Sequence, residues 1–130
     1  MSARNRLERD LVKCEDMRLH AERAVQFLDG RSLDQFLDDE LVQAAVIRCA
    51  EVIGEAARLI SDETRSREPA IPWRLIIGMR NVLAHEYGVV MPEKVYEVVT
   101  RHVPELLERL GPLITELEAE VGWDDAGDEA

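Results

Sequence analysis

Residues 41–60 read LVQAAVIRCAEVIGEAARLI, and this stretch decides the fold class of the chain. A helix with this sequence is apolar almost all round and leaves only a narrow polar row. Because two apolar sides need two partners, we expect one side to face the domain core and the other to face a second copy of the chain in a homodimer. The polar row consists of Arg48, Glu51, Glu55 and Arg58.

These four polar residues fall within about 80° of one another on an ideal helix. Two interpretations remain open for them. They form either an exposed ladder of ion pairs, which contributes little to stability, or a polar wall that lines a cleft. In the second case, Arg48 and Glu55 would support a functional site.

The flanking sequence predicts further helices and no strands. A first helix spans about residues 4–29, where apolar residues recur at three- and four-residue spacing and Gly30 follows. A capping box of Ser32 and Gln35 starts the helix that contains residues 41–60 and carries it to about Ser61. The polar stretch 61–72 is then predicted to be a loop.

Two more helices complete the prediction. Pro72 in a first turn opens a third helix over Trp73–Tyr87, and Pro92 opens a fourth. Pro104 and Pro112 should kink or break the fourth helix. The fold class expected is therefore all-α, an up-and-down bundle of four to five helices.

Composition supports a single domain. The chain has 130 residues, of which 46% are apolar, 33% charged and 5% aromatic. This excludes disorder throughout, and no apolar run approaches the roughly 20 residues needed to cross a bilayer. We expect one domain over residues 1–121, a disordered acidic tail over 122–130, a cytoplasmic protein with no membrane association, and free buried thiols at Cys14 and Cys49.

The formal charge of −11 by itself argues against nucleic-acid binding, but the distribution of the charge matters more than its sum. Seven acidic residues and no basic ones lie in residues 116–130. From Arg65 to Arg101, six basic residues exceed four acidic ones. A locally positive surface is therefore compatible with the sequence of that region.

The third helix ends in RNVLAHEY, residues 80–87, and this segment departs from simple packing. Arg80 lies in an apolar row with Ile76, Met79 and Leu83. Its guanidinium cannot lose its proton and needs a carboxylate, a phosphate or water; Glu55 or Glu51 could be its resting partner. His85 lies about 140° from Arg80 on an ideal helix, so a shared groove at a two-fold interface would help to bring both to one substrate.

These residue types suit RNA cleavage without a metal or another cofactor. An imidazole with an ordinary pKa of ~6.5, here His85, could take the 2′-hydroxyl proton or protonate the leaving 5′-oxygen. Arg80 could hold the scissile phosphate with two hydrogen bonds. Asn81 could orient the imidazole or a phosphate oxygen, and Tyr87 could donate a hydrogen bond or stack on a base.

A family resemblance adds to this interpretation. The segments AVIRCAEVIGEAARLI (45–60), IPWRLIIGMR (71–80) and RNVLAHEYGVVMPEKVYEVV (80–99) together resemble the HepT-like branch of the HEPN superfamily, small helical proteins with the signature RxxxxHxY. The resemblance covers about residues 5 to 117. It implies that Arg80, His85 and Tyr87 are the catalytic motif residues and that Asn81 supports them.

The same resemblance implies a biological role. Members of this branch look like homodimeric endoribonuclease toxins of a type II or VII-like toxin–antitoxin system. Their antitoxin is a minimal nucleotidyltransferase that transfers AMP to the motif tyrosine, here Tyr87. The alternative is a non-catalytic partner that binds a nucleotide or docks onto the nucleotidyltransferase, and the net negative charge favours it. A purely structural dimer is a third interpretation.

Overall fold

The computed structural model describes residues 2–85 and 91–122, and for positions 80–85 it describes the backbone alone. Within those ranges the chain forms helices and no strand, which confirms the all-α prediction. Five of the helices have ten or more residues, in agreement with the predicted four to five. The described helices are α1 (Ala3–Leu28), α2 (Leu33–Leu37), α3 (Glu40–Leu59), α4 (Asp62–Arg65), α5 (Trp73–His85), α6 (Pro92–Arg101) and α7 (Val103–Val121).

One aliphatic core holds the helices together. α1 packs against α3 and α7, α5 packs against α3, and α6 packs mainly against α7, α2 and α3. Cys14 and Cys49 are buried free thiols, as predicted, and burial raises the pKa of Cys14 to about 12. Among the side chains that line this core are Leu11, Met17, Phe36, Ile53, Leu106, Leu110 and Leu117.

The predicted second helix is two helices, because the chain turns at Asp38 and Asp39. The capping box at Ser32 is present as predicted and starts α2. Asp39 is extended, with φ −122° and ψ 93°, and its carboxylate accepts a hydrogen bond from the Val42 amide at 3.0 Å. A short polar side chain that can cap a helix thus starts α3 at Glu40, about two turns after the predicted start at Ser32.

The predicted fourth helix is also divided. α6 ends at Arg101 and α7 begins at Val103, with His102 between them. Pro104 lies in the first turn of α7, where a missing amide hydrogen costs nothing. Pro112 lies inside α7, which continues to Val121, so the helix does not break there.

Two acidic residues near the C-terminus belong to the fold. In α7, Glu116 accepts a hydrogen bond from Arg67 at 2.9 Å, and Glu120 accepts another at 3.0 Å. The hydrogen bond to Arg67 lowers the pKa of Glu120, and the same contact raises the pKa of Arg67. Of the predicted tail 122–130, the structure describes only Gly122, which ends α7 with φ 84°.

The segment 61–72 is more structured than the predicted loop. It contains α4, whose N-cap is Ser61. Asp10 of α1 is only 2% exposed and holds this segment with three hydrogen bonds. The Ser61 amide donates at 3.0 Å, the Ser61 hydroxyl at 2.5 Å and the Thr64 hydroxyl at 2.6 Å. A buried carboxylate therefore fastens the segment that leads into α5.

We predict that Asp10→Ala lowers the free energy of unfolding by about 3 kcal/mol, because it leaves the buried Thr64 hydroxyl and the half-buried Ser61 hydroxyl and amide without their acceptor. Urea denaturation measures the change. Asp16→Ala on the same helix is the matched control: Asp16 makes only a partly exposed ion pair with Lys13 at 3.9 Å, and its loss should cost under about 0.5 kcal/mol. Equal losses in the two variants would contradict the role of Asp10.

Candidate functional site

The helix that carries the motif, α5, is positioned by its first turn. Pro72 precedes the helix, and Trp73 begins it. The Trp73 indole donates a hydrogen bond to the Glu68 carbonyl at 3.0 Å, which connects α5 to the segment fastened by Asp10. Ile76 and Met79 are buried in the core, so one side of α5 is fixed against α3.

The register of α5 then determines where the motif positions fall. Position 80 comes four residues after the buried Ile76 and lies about 40° from it around the helix axis, so its backbone lies on the core side of α5. His85 comes seven residues after Gly78 and lies on nearly the same face as that glycine, away from the core side. The helix thus presents positions 80 and 85 in different directions.

The described residues include only part of the predicted catalytic set. Arg80, Asn81 and His85 lie on α5, and their side chains are outside the described part of the structure. Tyr87 lies outside the described residues altogether. The roles assigned to these four residues remain predictions.

The polar row of α3 forms ion pairs between neighbouring turns. Glu55 pairs with Arg58, with 2.6 Å between Oε1 and Nη2, and Arg48 lies 3.8 Å from Glu51. The hydrogen bond that Arg58 donates to the Glu55 carboxylate raises the pKa of Arg58. These contacts agree with the ladder interpretation. They leave Arg48 and Glu55 on the helix against which α5 packs, one of them exposed and the other half-buried.

A groove lies between α5 and α6, with a volume of about 350 Å³. Gly78 and Met79 of α5 line it, together with Val98 of α6. Arg74 of α5 and Lys94 of α6 also line it and place two cationic groups there. The motif did not single out these two residues, although the local excess of basic residues between Arg65 and Arg101 indicated a positive surface.

The described ranges contain neither a cluster of metal-ligand side chains nor a membrane-spanning helix. In residues 2–85 and 91–122, no three histidine, cysteine, aspartate or glutamate side chains come together as metal ligands would. In the same ranges, no helix has the length and apolar character needed to span a bilayer.

The sequence matches one protein family over most of its length. The family described as Ribonuclease HepT-like matches residues 17–112. The chain belongs to the HepT-like ribonuclease family. This confirms the resemblance inferred from the three sequence segments.

Several curated relatives support membership of the HepT-like family. A protein of Thermococcus cleftensis named "Probable ribonuclease HepT" is 35% identical over 71% of this chain and 84% of its own length. A "Putative RNase" of Methanocaldococcus jannaschii is 34% identical over 72% of this chain and 81% of its own. A "Putative RNase" of Caldanaerobacter subterraneus is 31% identical over 83% and 90%. No solved structure gives a significant match.

Proposed function

We propose that this HepT-like protein is a metal-independent endoribonuclease. Membership of a ribonuclease family carries the proposal, and the presence of Arg80 and His85 on one helix supports it. The RNA supplies its own nucleophile, because the 2′-hydroxyl can attack the adjacent phosphorus. The bond from phosphorus to the 5′-oxygen then breaks, giving a 2′,3′-cyclic phosphate and a 5′-hydroxyl. This route needs proton transfer and charge stabilisation.

The four motif residues can divide this work. His85 is the group we assign to proton transfer, from the 2′-hydroxyl or to the leaving 5′-oxygen. Arg80 is permanently charged and suits two hydrogen bonds to the non-bridging phosphate oxygens, where negative charge grows in the transition state. Asn81 and Tyr87 would orient the phosphate and the neighbouring base.

We predict that the purified wild-type protein cleaves RNA in the presence of EDTA and that His85→Ala reduces the rate at least about 100-fold, because the proton-transfer group is lost. Cleavage of a fluorescently labelled RNA, with detection of the cyclic phosphate end, measures both. His20→Ala is the matched control: His20 lies on α1, where its Nδ1 is 2.9 Å from the Asp16 carbonyl oxygen. Undiminished cleavage by His85→Ala would remove His85 from the mechanism. Absence of cleavage by every variant would favour the non-catalytic docking role.

We further propose that the active form is a homodimer. On α3, Leu41 is 81% exposed and Leu59 is 44% exposed, although both are large apolar side chains. They are separated by about five turns and therefore lie on one face of the helix. A second copy of the chain would bury this face and place two motif helices at one interface, where a groove could hold a single RNA strand.

Light scattering should therefore give about twice the chain mass of 14.8 kDa. We predict that Leu41→Lys shifts the protein toward the monomer, because it places a charge in the apolar contact. Val12→Lys is the matched control, since Val12 is 56% exposed on the outer face of α1. A wild-type chain that stays monomeric at high concentration, or a Leu41→Lys protein that stays dimeric, would contradict this interface.

The toxin–antitoxin role is also a proposal. A minimal nucleotidyltransferase would neutralise the ribonuclease by AMPylation of Tyr87. The tyrosine oxygen would attack the α-phosphorus of ATP, pyrophosphate would leave, and the phenolic proton would pass to solvent. The added phosphate would place negative charge near Arg80 and repel RNA.

We predict that co-expression with such a nucleotidyltransferase adds one AMP group to the wild-type chain and none to Tyr87→Phe. Intact-mass spectra and peptide mapping measure this. The modified protein should also cleave RNA more slowly than the unmodified one. An adduct on Tyr96 in place of Tyr87 would contradict the assignment; Tyr96 is half-buried and donates a hydrogen bond to the Arg31 carbonyl at 2.7 Å.

A further inference from the structure

The groove between α5 and α6 combines an apolar lining with exposed cations. Leu75, Met79 and Val98 provide apolar surface, and Gly78 leaves one wall without a side chain. A Cβ atom at Gly78 would meet nothing within 4 Å, so the space beside the helix is open. At about 350 Å³, the groove falls in the range of small-ligand sites and can accept a flat base.

The cations of this groove differ from most others in the protein. Many basic residues are neutralised in ion pairs, such as Arg6 with Glu63 and Arg109 with Glu68. Within the described side chains, Arg74 and Lys94 make no ion pair. Two exposed positive groups thus remain available at one groove in a chain whose net charge is −11.

The position of Lys94 adds to the positive potential. Lys94 lies in the first turn of α6, and Met91 at the N-cap makes no side-chain hydrogen bond to that turn. Free amide hydrogens at a helix N-terminus carry partial positive charge, which disfavours a lysine and favours an anion. Glu93 in the same turn offsets part of this charge. Glu97 also lines the groove and provides hydrogen-bond acceptors only.

The groove lies along the same face of α5 as position 85. His85 follows Gly78 by seven residues, which corresponds to about 10 Å along the helix axis. A single RNA strand of a few nucleotides spans that distance. A strand whose scissile phosphate lies at His85 could therefore run along α5 into the groove.

We propose that the α5–α6 groove is a nucleotide subsite for single-stranded RNA beside the scissile phosphate. Arg74 and Lys94 bind a backbone phosphate, and the attached base packs against Leu75, Met79 and Val98. Glu97 repels a second phosphate at this point and accepts hydrogen bonds from a base amino group. This inference rests on the proposed ribonuclease function and adds to it the residues that hold the substrate away from the cut bond.

The first test measures binding separately from cleavage. Fluorescence anisotropy with a short single-stranded RNA uses the His85→Ala chain, so that the RNA stays intact. Adding Arg74→Ala and Lys94→Ala should raise Kd about tenfold or more, because two charge-assisted contacts to phosphate are lost. The slope of log K against log salt should fall in magnitude by about 0.7, because the two residues together neutralise one phosphate. Lys13→Ala with Arg23→Ala, on α1, removes the same charge as a matched control and should change Kd less than about twofold.

The second test fills the groove without changing charge. Gly78→Met places a side chain in the space for the base and should weaken RNA binding, whereas Gly111→Met in α7 should not. Both glycines are helical and leave open space at the Cβ position, so both variants should fold. Circular dichroism checks the folding. Unchanged RNA affinity of Gly78→Met and of the Arg74→Ala, Lys94→Ala variant would overturn the proposal.

Kinetics of the chain with His85 intact separates this proposal from the ribonuclease function. Arg74→Ala should raise KM and leave kcat within about twofold, because the contact forms in both the bound and the transition state. If cleavage depends on His85 but the groove variants have the wild-type KM, the ribonuclease function is retained and the proposed subsite is overturned. Loss of nucleotidyltransferase binding with unaltered RNA affinity would assign the groove to a protein partner and also overturn the proposal.

Discussion

The contact between α5 and α3 is the constraint on which the rest of the site depends. Ile76 and Met79 are buried in the core, and this fixes the rotation of α5 about its own axis. Once that rotation is fixed, position 80 faces the core side, whereas positions 78 and 85 lie on another face. Asp10 strengthens this constraint. Its carboxylate accepts hydrogen bonds of 2.5–3.0 Å from Ser61 and Thr64 and so holds the segment that leads into α5. A stability network on α1 thereby orients the motif helix.

The sequence predicted the helices well where apolar periodicity is long, and less well where a single polar side chain decides a boundary. The all-α class and the positions of α1 and α5 followed from residues that recur at helical spacing, whereas the division between α6 and α7 at His102 did not. The break at Asp39 did not, because an aspartate inside a periodic stretch does not reveal whether its carboxylate caps a helix or faces solvent. The role of Asp10 was invisible for a related reason: its partners Ser61 and Thr64 lie more than 50 residues away in the chain.

The motif residues of the candidate site were predictable from the sequence, whereas the groove beside them was not. RNVLAHEY predicted a set of catalytic residues, whose roles stay predictions, and the family match shows the ribonuclease family to which the chain belongs. The groove could not be predicted, since Arg74 and Gly78 lie on α5 and Lys94 on α6, and these residues line one groove only in the folded chain. The excess of basic over acidic residues between Arg65 and Arg101 predicted that a positive surface would exist, but it did not predict where on the fold that surface would lie. Ion pairing determines that location. Among the described side chains, ion pairs neutralise most of the other basic residues, whereas Arg74 and Lys94 keep the groove positive.

We propose that position 80, on the core side of α5, holds an arginine for catalysis at some cost to stability. Replacing it with methionine tests this directly, with urea denaturation and RNA cleavage measured on the same preparation. We expect Arg80→Met to leave the free energy of unfolding unchanged or to raise it by about 1 kcal/mol, because an apolar side chain suits that face. We also expect cleavage to fall at least about 100-fold. A variant that loses about 2 kcal/mol or more of stability, or that still cleaves RNA at the wild-type rate, would contradict the account.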